Sequence, residues 1–266
     1  MPSVYAHKRF GEQVLDQLPA SVKNLAQRYR TQYDFGLQGP DFLFFYRVWL
    51  KNNPVPQLGV EIHQHPASEL FYSFREMLKK TGRQSMEMAC AMGTVCHFML
   101  DSSCHWYVNQ YIKESGVGHN EIETEFERYL MELDGLDPLN YPVWDLIPAD
   151  QDTAQCLANL YDFGLIDQPT AMLCMKDMKM VKKKLRAVTP GKQKFLRSLM
   201  KLSGHYDEIQ GHLMAIDPNP LCDVSNQKLL ELSDGAVKET ADLIAEFYDA
   251  VNADTPLNER FNRNFE

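Results

Sequence analysis

Residues 85–112 read SMEMACAMGTVCHFMLDSSCHWYVNQYI, the longest uninterrupted helical pattern in the chain. The stretch has no proline, and Met88, Met92, Val95 and Met99 recur at intervals of three and four residues. This spacing is typical of apolar side chains on one face of an α-helix. We therefore predict a long, largely buried helix here.

The segments on either side also show helical spacing. Predicted helices cover residues 10–28 (divided at Pro19), 41–50, a segment opening at His65-Pro66, and 119–131, 150–163, 169–186, 190–202 and 224–250, the last with a start at Ser225. A loop is expected at 52–56, where Pro54 and Pro56 lie. We find no internal repeat or convincing strand pair. The predicted fold class is all-α, a multi-helix bundle forming a single helical domain over residues 1–266, with its C-terminal half helical over 150–252.

Composition narrows the range of functions. The 266 residues carry a formal net charge of −9, which disfavours a large surface for the nucleic acid backbone. The first residues lack the apolar core of a secretory signal, and the longest apolar run, residues 42–50, is broken by Arg47 and is too short for a transmembrane segment. The six cysteines are expected to be reduced thiols, and we predict a cytoplasmic protein.

Histidines and carboxylates recur at four-residue spacing within residues 97–123. His97, Asp101 and His105 follow one another at this interval, and so do His119 and Glu123. On a helix, residues four apart lie on nearly the same face. Imidazole nitrogen and carboxylate oxygen are ligands that zinc accepts, at about 2.0–2.2 Å. The pattern therefore predicts a metal site built from two helices.

Helix geometry indicates more than one ion. His97 and His105 are about 12 Å apart along the helix axis, too far to share an ion. His97 and Asp101 can hold one ion, whereas His105 needs His119 and Glu123 from the next helix. Asp101 has two oxygens and could bridge ions.

The competing interpretation is a polar stripe facing solvent, or core histidines satisfied by hydrogen bonds. For a single histidine that interpretation would be preferred. Two spaced sets, one of them on an otherwise apolar helix, favour metal binding instead.

These residues, together with two upstream, resemble the zinc-dependent phospholipase C family. Asp41 follows Gly39-Pro40, and His63 lies four residues after Gly59; both precede the two spaced sets over roughly residues 1–130. The family shares its helical fold and trinuclear zinc site with the P1-type single-strand nucleases. The resemblance implies one zinc held by Asp41, His63, His97 and Asp101, a second held by His105, His119 and Glu123, and a possible third at His7 with Asp101 bridging. His65 remains an alternative to His63, which is preferred because it fits the Gly-x3-His pattern.

The function implied by the resemblance is zinc-dependent hydrolysis of phosphoric esters. Water activated by the metal would attack phosphorus, with Asp41 as the general base. Phospholipid is the family's substrate class, whereas nucleic acid is not favoured. Two alternatives stay open: a related zinc enzyme, nuclease-like or acting on a different phosphate ester, and a non-catalytic, zinc-stabilised helical binding module.

Three other features are interpreted as structural. His205 and His212 are seven residues apart near two glycines, and the lysines around Lys182 are interpreted as a solvated helix face. The aromatic cluster that includes Phe44 and Phe45 is assigned mainly to the core, with some members lining a substrate cleft.

Overall fold

The computed structural model describes residues 3–50, 52–203, 210–253 and 255–266, and within these ranges it contains helices and no strand. This confirms the predicted all-α class. The α-helices are α1 (Val4–Gln17), α2 (Ala20–Arg28), α3 (Arg30–Gly36), α4 (Pro54–Gln64), α5 (Ala67–Thr81), α6 (Met86–Ser115), α7 (His119–Leu133), α8 (Gln151–Leu160), α9 (Gln168–Leu185), α10 (Pro190–Ser203) and α11 (Asp223–Ala250). Short 3₁₀ helices cover Gly39–Phe45, Val143–Leu146, Gln210–His212, Pro220–Cys222 and Glu259–Asn262.

Helix α6 is the predicted long helix, and it forms the centre of the fold. Its 30 residues extend about 45 Å at 1.5 Å per residue. The Ser85 hydroxyl accepts a hydrogen bond from the Met88 amide at 3.3 Å and caps the N-terminus. Gly116, with φ +73°, adopts the left-handed conformation that commonly ends a helix. Side chains from Met88 to Leu100 are almost completely buried, so α6 is enclosed by its neighbours.

Two glycines let α3 lie directly against α6. A Cβ on Gly93 would lie 2.3 Å from the Tyr33 carbonyl oxygen, and one on Gly36 would lie 2.2 Å from the Cys90 carbonyl oxygen. No side chain fits at such distances. The close backbone contact fixes the N-terminal part of α6 against the segment that leads to Asp41.

Three local predictions need correction. Residues 41–50 do not form an α-helix: a 3₁₀ helix ends at Phe45, and the chain turns at Arg47, whose φ is +44° and whose amide donates to Asp177 at 2.9 Å. The expected loop at 52–56 is confined to residues 52 and 53, because the Asn53 side chain caps α4 and Pro54 occupies a first-turn position that needs no amide donor. Helix α11 begins at Asp223 rather than Ser225.

One cluster of buried apolar side chains includes residues from both halves of the chain, from Val4 on α1 to Phe265. Pro19 separates α1 from α2 as predicted. All six cysteines are buried and unbridged. Among the described helices, none has the length and apolar character required to cross a bilayer.

Candidate metal centre

The ligand candidates on α6 face a turn that passes unusually close to the helix. His97 and Asp101 are fully buried, as helical spacing predicts for one stripe of α6. Gly39 has φ +50°, and a Cβ there would lie 2.2 Å from the His97 ring. Only glycine therefore allows the chain to pass over His97 and bring Asp41 beside it.

The structure brings the eight predicted ligands into three groups of potential metal-binding atoms, each with its members within 4.8 Å of one another. The groups are His7, His97 and Asp101; Asp41, His63 and His97; and His105, His119 and Glu123. His97 belongs to two groups, so the first two are adjacent. The third group combines His105, eight residues beyond His97 on α6, with His119 and Glu123 near the start of α7. It is therefore separate from the groups that contain His97, as helix geometry predicts.

Distances within the first two groups suit an ion between the ligand atoms. His63 Nε2 lies 3.1 Å and His97 Nε2 lies 3.7 Å from Asp41 Oδ1. His97 Nε2 lies 3.1 Å from Asp101 Oδ2, and His7 Nε2 lies 3.4 Å from Asp101 Oδ1. Two ligand atoms about 2.1 Å from a tetrahedral ion are separated by roughly 3.4 Å. The observed spacing of 3.1 to 3.7 Å brackets that value.

In the third group one pair of atoms has this spacing and the other is closer. Glu123 Oε1 lies 3.4 Å from His105 Nε2 but 2.5 Å from His119 Nε2, the distance of a direct hydrogen bond. His105 and Glu123 are buried, whereas the His119 side chain is 38% exposed. This group therefore lies at the boundary between the core and solvent.

Backbone carbonyls fix the tautomer of three histidines. The Nδ1 atoms of His63, His97 and His105 lie 2.7, 3.2 and 2.7 Å from the carbonyl oxygens of Gly59, Leu37 and Phe265. A carbonyl only accepts, so each Nδ1 carries the hydrogen and donates. In the neutral ring, Nε2 then has a lone pair directed at a carboxylate.

The Nε2 atoms of these histidines show whether the residues present fit a zinc ion. The Nε2 atoms of His63, His97 and His105 are buried and form no hydrogen bond with any described residue. A lone pair facing a carboxylate is unfavourable without a proton or a cation between them. A divalent cation satisfies both partners, and a carbonyl bound to the opposite ring nitrogen is the common arrangement for ligating histidines. The residues present therefore fit zinc.

The carboxylates are ionised in this environment. Burial disfavours the charged form of Glu123, but the neighbouring imidazoles of His105 and His119 outweigh burial and lower its pKa to about 2. For Asp41, burial is likewise opposed by the neighbouring imidazoles of His97 and His63, and its pKa lies below the ordinary value. Each can therefore act as an anionic ligand near neutral pH.

The structure separates His63 from the alternative, His65. The His63 ring is buried in the second group, whereas the His65 side chain is 60% exposed and pairs with Glu69 at 3.1 Å. His65 is the residue that follows the last turn of α4, so its side chain leaves the face that His63 occupies. The geometry supports His63 as the ligand.

Several contributors were not apparent from the sequence. The carbonyl that orients His105 belongs to Phe265, 160 residues away along the chain. Glu127 accepts a hydrogen bond from the Tyr5 amide at 2.7 Å and thereby fixes the start of α1, which carries His7. No spacing rule links such distant positions, because the contacts depend on tertiary packing.

A cavity of about 510 Å³ opens beside the third group. His63, His105 and His119 line it together with apolar side chains such as Phe44 and Phe45, two members of the aromatic cluster. Lys182 and His212 also line it. The prediction of a solvated face for Lys182 is therefore wrong at this position, since the end of α9 passes over the cavity. His205 lies outside the described residues.

Three groups of imidazoles and carboxylates able to hold metal ions, beside an open cavity on an all-helical scaffold, are typical of metal proteins with room for a substrate. Structural zinc sites are instead usually closed and rich in cysteine. The family model for zinc dependent phospholipase C matches residues 6–165, more than half of the chain. The chain belongs to this family, as the resemblance predicted. Comparisons with curated proteins and with solved structures gave no match.

Proposed function

We propose that this protein hydrolyses phosphoric esters with zinc, and that its substrate is a phospholipid. The two groups Asp41–His63–His97 and His105–His119–Glu123 would each hold one zinc ion, and His7 with Asp101 would form a third position. The observation that carries this proposal is the cavity, because it opens directly onto ligands of both principal groups, His63 on one side and His105 and His119 on the other.

The walls of the cavity favour a lipid over other esters. Phe44, Phe45, Val60, Val181 and Leu185 form a largely apolar lining, which suits the glycerol and acyl portion of a lipid. A binding site for single-stranded nucleic acid would instead need a positively charged groove, and the chain carries a net charge of −9.

Exposed apolar residues continue from the cavity onto the surface. Val48 lines the cavity, and its neighbours Trp49 and Leu50 are 61% and 48% exposed. The chain is held in this position by the hydrogen bond between Arg47 and Asp177. Tryptophan and leucine at such a rim suit contact with the lipid surface from which the substrate would enter.

Zinc ions bound in the centre would supply Lewis-acid stabilisation of the phosphoryl oxygens and lower the pKa of a water molecule. The hydrogen bonds from Nδ1 to backbone carbonyls would keep the Nε2 lone pairs of His63 and His105 available to the ions. The apolar wall excludes bulk water from the reacting phosphorus, which strengthens charge interactions within the cavity.

Asp41 is the proposed acceptor for the proton of the attacking water. Its Oδ1 lies close to Nε2 of both His63 and His97, so it would be adjacent to the ion that they hold. Because its pKa lies below the ordinary value, Asp41 is ionised near neutral pH. A carboxylate of low pKa is a weak base, so its main contribution would be to orient the water.

The test is hydrolysis of phosphatidylcholine in detergent micelles, compared with single-stranded DNA and a nitrophenyl phosphodiester. The zinc-loaded protein should release phosphocholine and lose this activity with a chelator. His119→Ala should abolish release, whereas His65→Ala, an exposed histidine outside the groups, should retain it. Zinc-loaded protein that cleaves only DNA or only the small ester would contradict the lipid assignment, and no cleavage of any substrate would contradict a hydrolase.

A further inference from the structure

Phe265 is a buried residue that contacts the metal centre although it lies 100 residues beyond the family match at 6–165. Its amide donates a hydrogen bond to the His63 carbonyl at 3.2 Å, and its own carbonyl accepts the hydrogen bond from His105 Nδ1 at 2.7 Å. His63 belongs to one principal group of ligands and His105 to the other. The backbone of one residue therefore joins both.

The ring of Phe265 packs on the same groups. Its centroid lies 5.1 Å from that of His63 and 5.9 Å from that of His97, and 5.3 Å from the ring of Phe98 beneath them. The ring is completely buried. Its packing restrains the backbone atoms of Phe265 that bond His63 and His105.

The preceding residues hold this segment in a fixed register. The Arg263 carbonyl accepts a hydrogen bond from the Ala67 amide at 2.8 Å, and Arg260 Nη2 donates to Ser102 Oγ at 2.9 Å. Phe261 packs against Phe71 with centroids 4.5 Å apart. Contacts to both α5 and α6 thus determine where residue 265 lies.

We propose that Phe265 is a positioning residue of the metal centre, which sets the orientation of His105 and its placement relative to His63. Without the Phe265 ring, the carbonyl is no longer held against Nδ1, and the His105 ring is free to rotate or to exchange its tautomer. Loss of a partner that orients a ligating histidine typically lowers metal affinity about 10–100-fold. The effect concerns metal binding itself and does not depend on which ester is hydrolysed.

Zinc affinity of the full-length chain, measured by competition with a fluorescent chelator, tests the proposal. Phe265→Ala should weaken binding at the His105 site about tenfold or more. The matched control is Phe247→Ala, which removes an equally buried phenyl ring from α11, outside the segment that positions residue 265. The described ring contacts of Phe247 are to Phe71 and Phe261 and include none of the ligands. This control should be destabilised to a similar degree, yet bind zinc like the wild type.

Equal zinc affinity in the two alanine variants would overturn the proposal, since the loss would then follow only from general destabilisation. If Phe265→Ala does not fold, Phe265→Leu and Phe247→Leu form the replacement pair, with the same order of affinities expected and equality again refuting the proposal. As a direct readout, nitrogen NMR of His105 should show the hydrogen on Nδ1 in the wild type and a mixture of tautomers in the Phe265 variant. Wild type that binds no zinc would refute the metal centre itself, whereas zinc binding unaffected by Phe265→Ala would refute only the positioning role.

Discussion

Replacing Glu123 by glutamine should remove a defined part of the pH dependence of stability. In the metal-free protein, His105 and His119 lower the pKa of Glu123 to about 2 in spite of burial, compared with an ordinary 4.5. Because the folded-state pKa is the lower one, ionised Glu123 stabilises the fold above pH 4.5. This stabilisation is lost as the pH falls from 4.5 towards about 2.

The difference between the two pKa values corresponds to about 3 kcal/mol of unfolding free energy. Glutamine has nearly the same shape but no charge to lose. Metal-free Glu123→Gln should therefore be less stable than the wild type near neutral pH. Its stability should also fall less steeply on acidification, with the gap closing by up to about 3 kcal/mol.

The assay is urea unfolding of chelator-treated protein, followed by circular dichroism at a series of pH values. Glu132→Gln is the matched control, because Glu132 is an exposed carboxylate on the same helix, α7. It should retain the wild-type pH dependence. If Glu123→Gln also follows the wild-type curve throughout the acid range, His105 and His119 do not lower the pKa of Glu123 as described.

Three further outcomes are expected. His63→Ala should lower the bound zinc measured by mass spectrometry of the native protein, whereas His65→Ala should not; equal losses would refute the choice between them. Leu50→Ala should reduce sedimentation of the protein with phosphatidylcholine vesicles severalfold relative to Leu133→Ala. Leu133 is the control because it has similar exposure (51% against 48%) but lies at the end of α7 away from the cavity. Equal sedimentation of the two variants would exclude the rim as a lipid contact. Adding zinc at a hundred times its Kd to chelator-treated protein should raise stability by about 2.7 kcal/mol per independent site, seen as a higher melting temperature; an unchanged melting temperature would show that the fold does not bind the ion.

The fold class was predictable because helical spacing records which side chains face the core. The pattern over residues 85–112 needs only local geometry, and it gave the long helix nearly at its observed bounds, Met86–Ser115. The same geometry predicted that His97 and His105 belong to different groups of ligands and that His105 belongs with His119. Local spacing was less informative where proline and glycine allow several conformations, as in the misassigned segments at 41–50 and 52–56.

The remaining parts of the site depend on contacts that no spacing encodes. Phe265 meets His105 only after the chain has folded, and Lys182 reaches the cavity because the end of α9 crosses it. His212 lines the same cavity, and its pKa is lowered to about 4 by burial, with a further contribution from the Lys182 charge. Lys182 and His212 could not be assigned to the cavity from the sequence, since lysine and histidine are usually interpreted as surface groups.

Diffraction from zinc-soaked crystals at energies on either side of the zinc absorption edge tests the metal centre most directly. Anomalous peaks are expected about 2.0–2.2 Å from Nε2 of His105 and His119 and, separately, from Nε2 of His63 and His97. A third peak beside His7 and Asp101 would extend the centre as proposed. Side chains placed as described here but with no anomalous peak among them would contradict it.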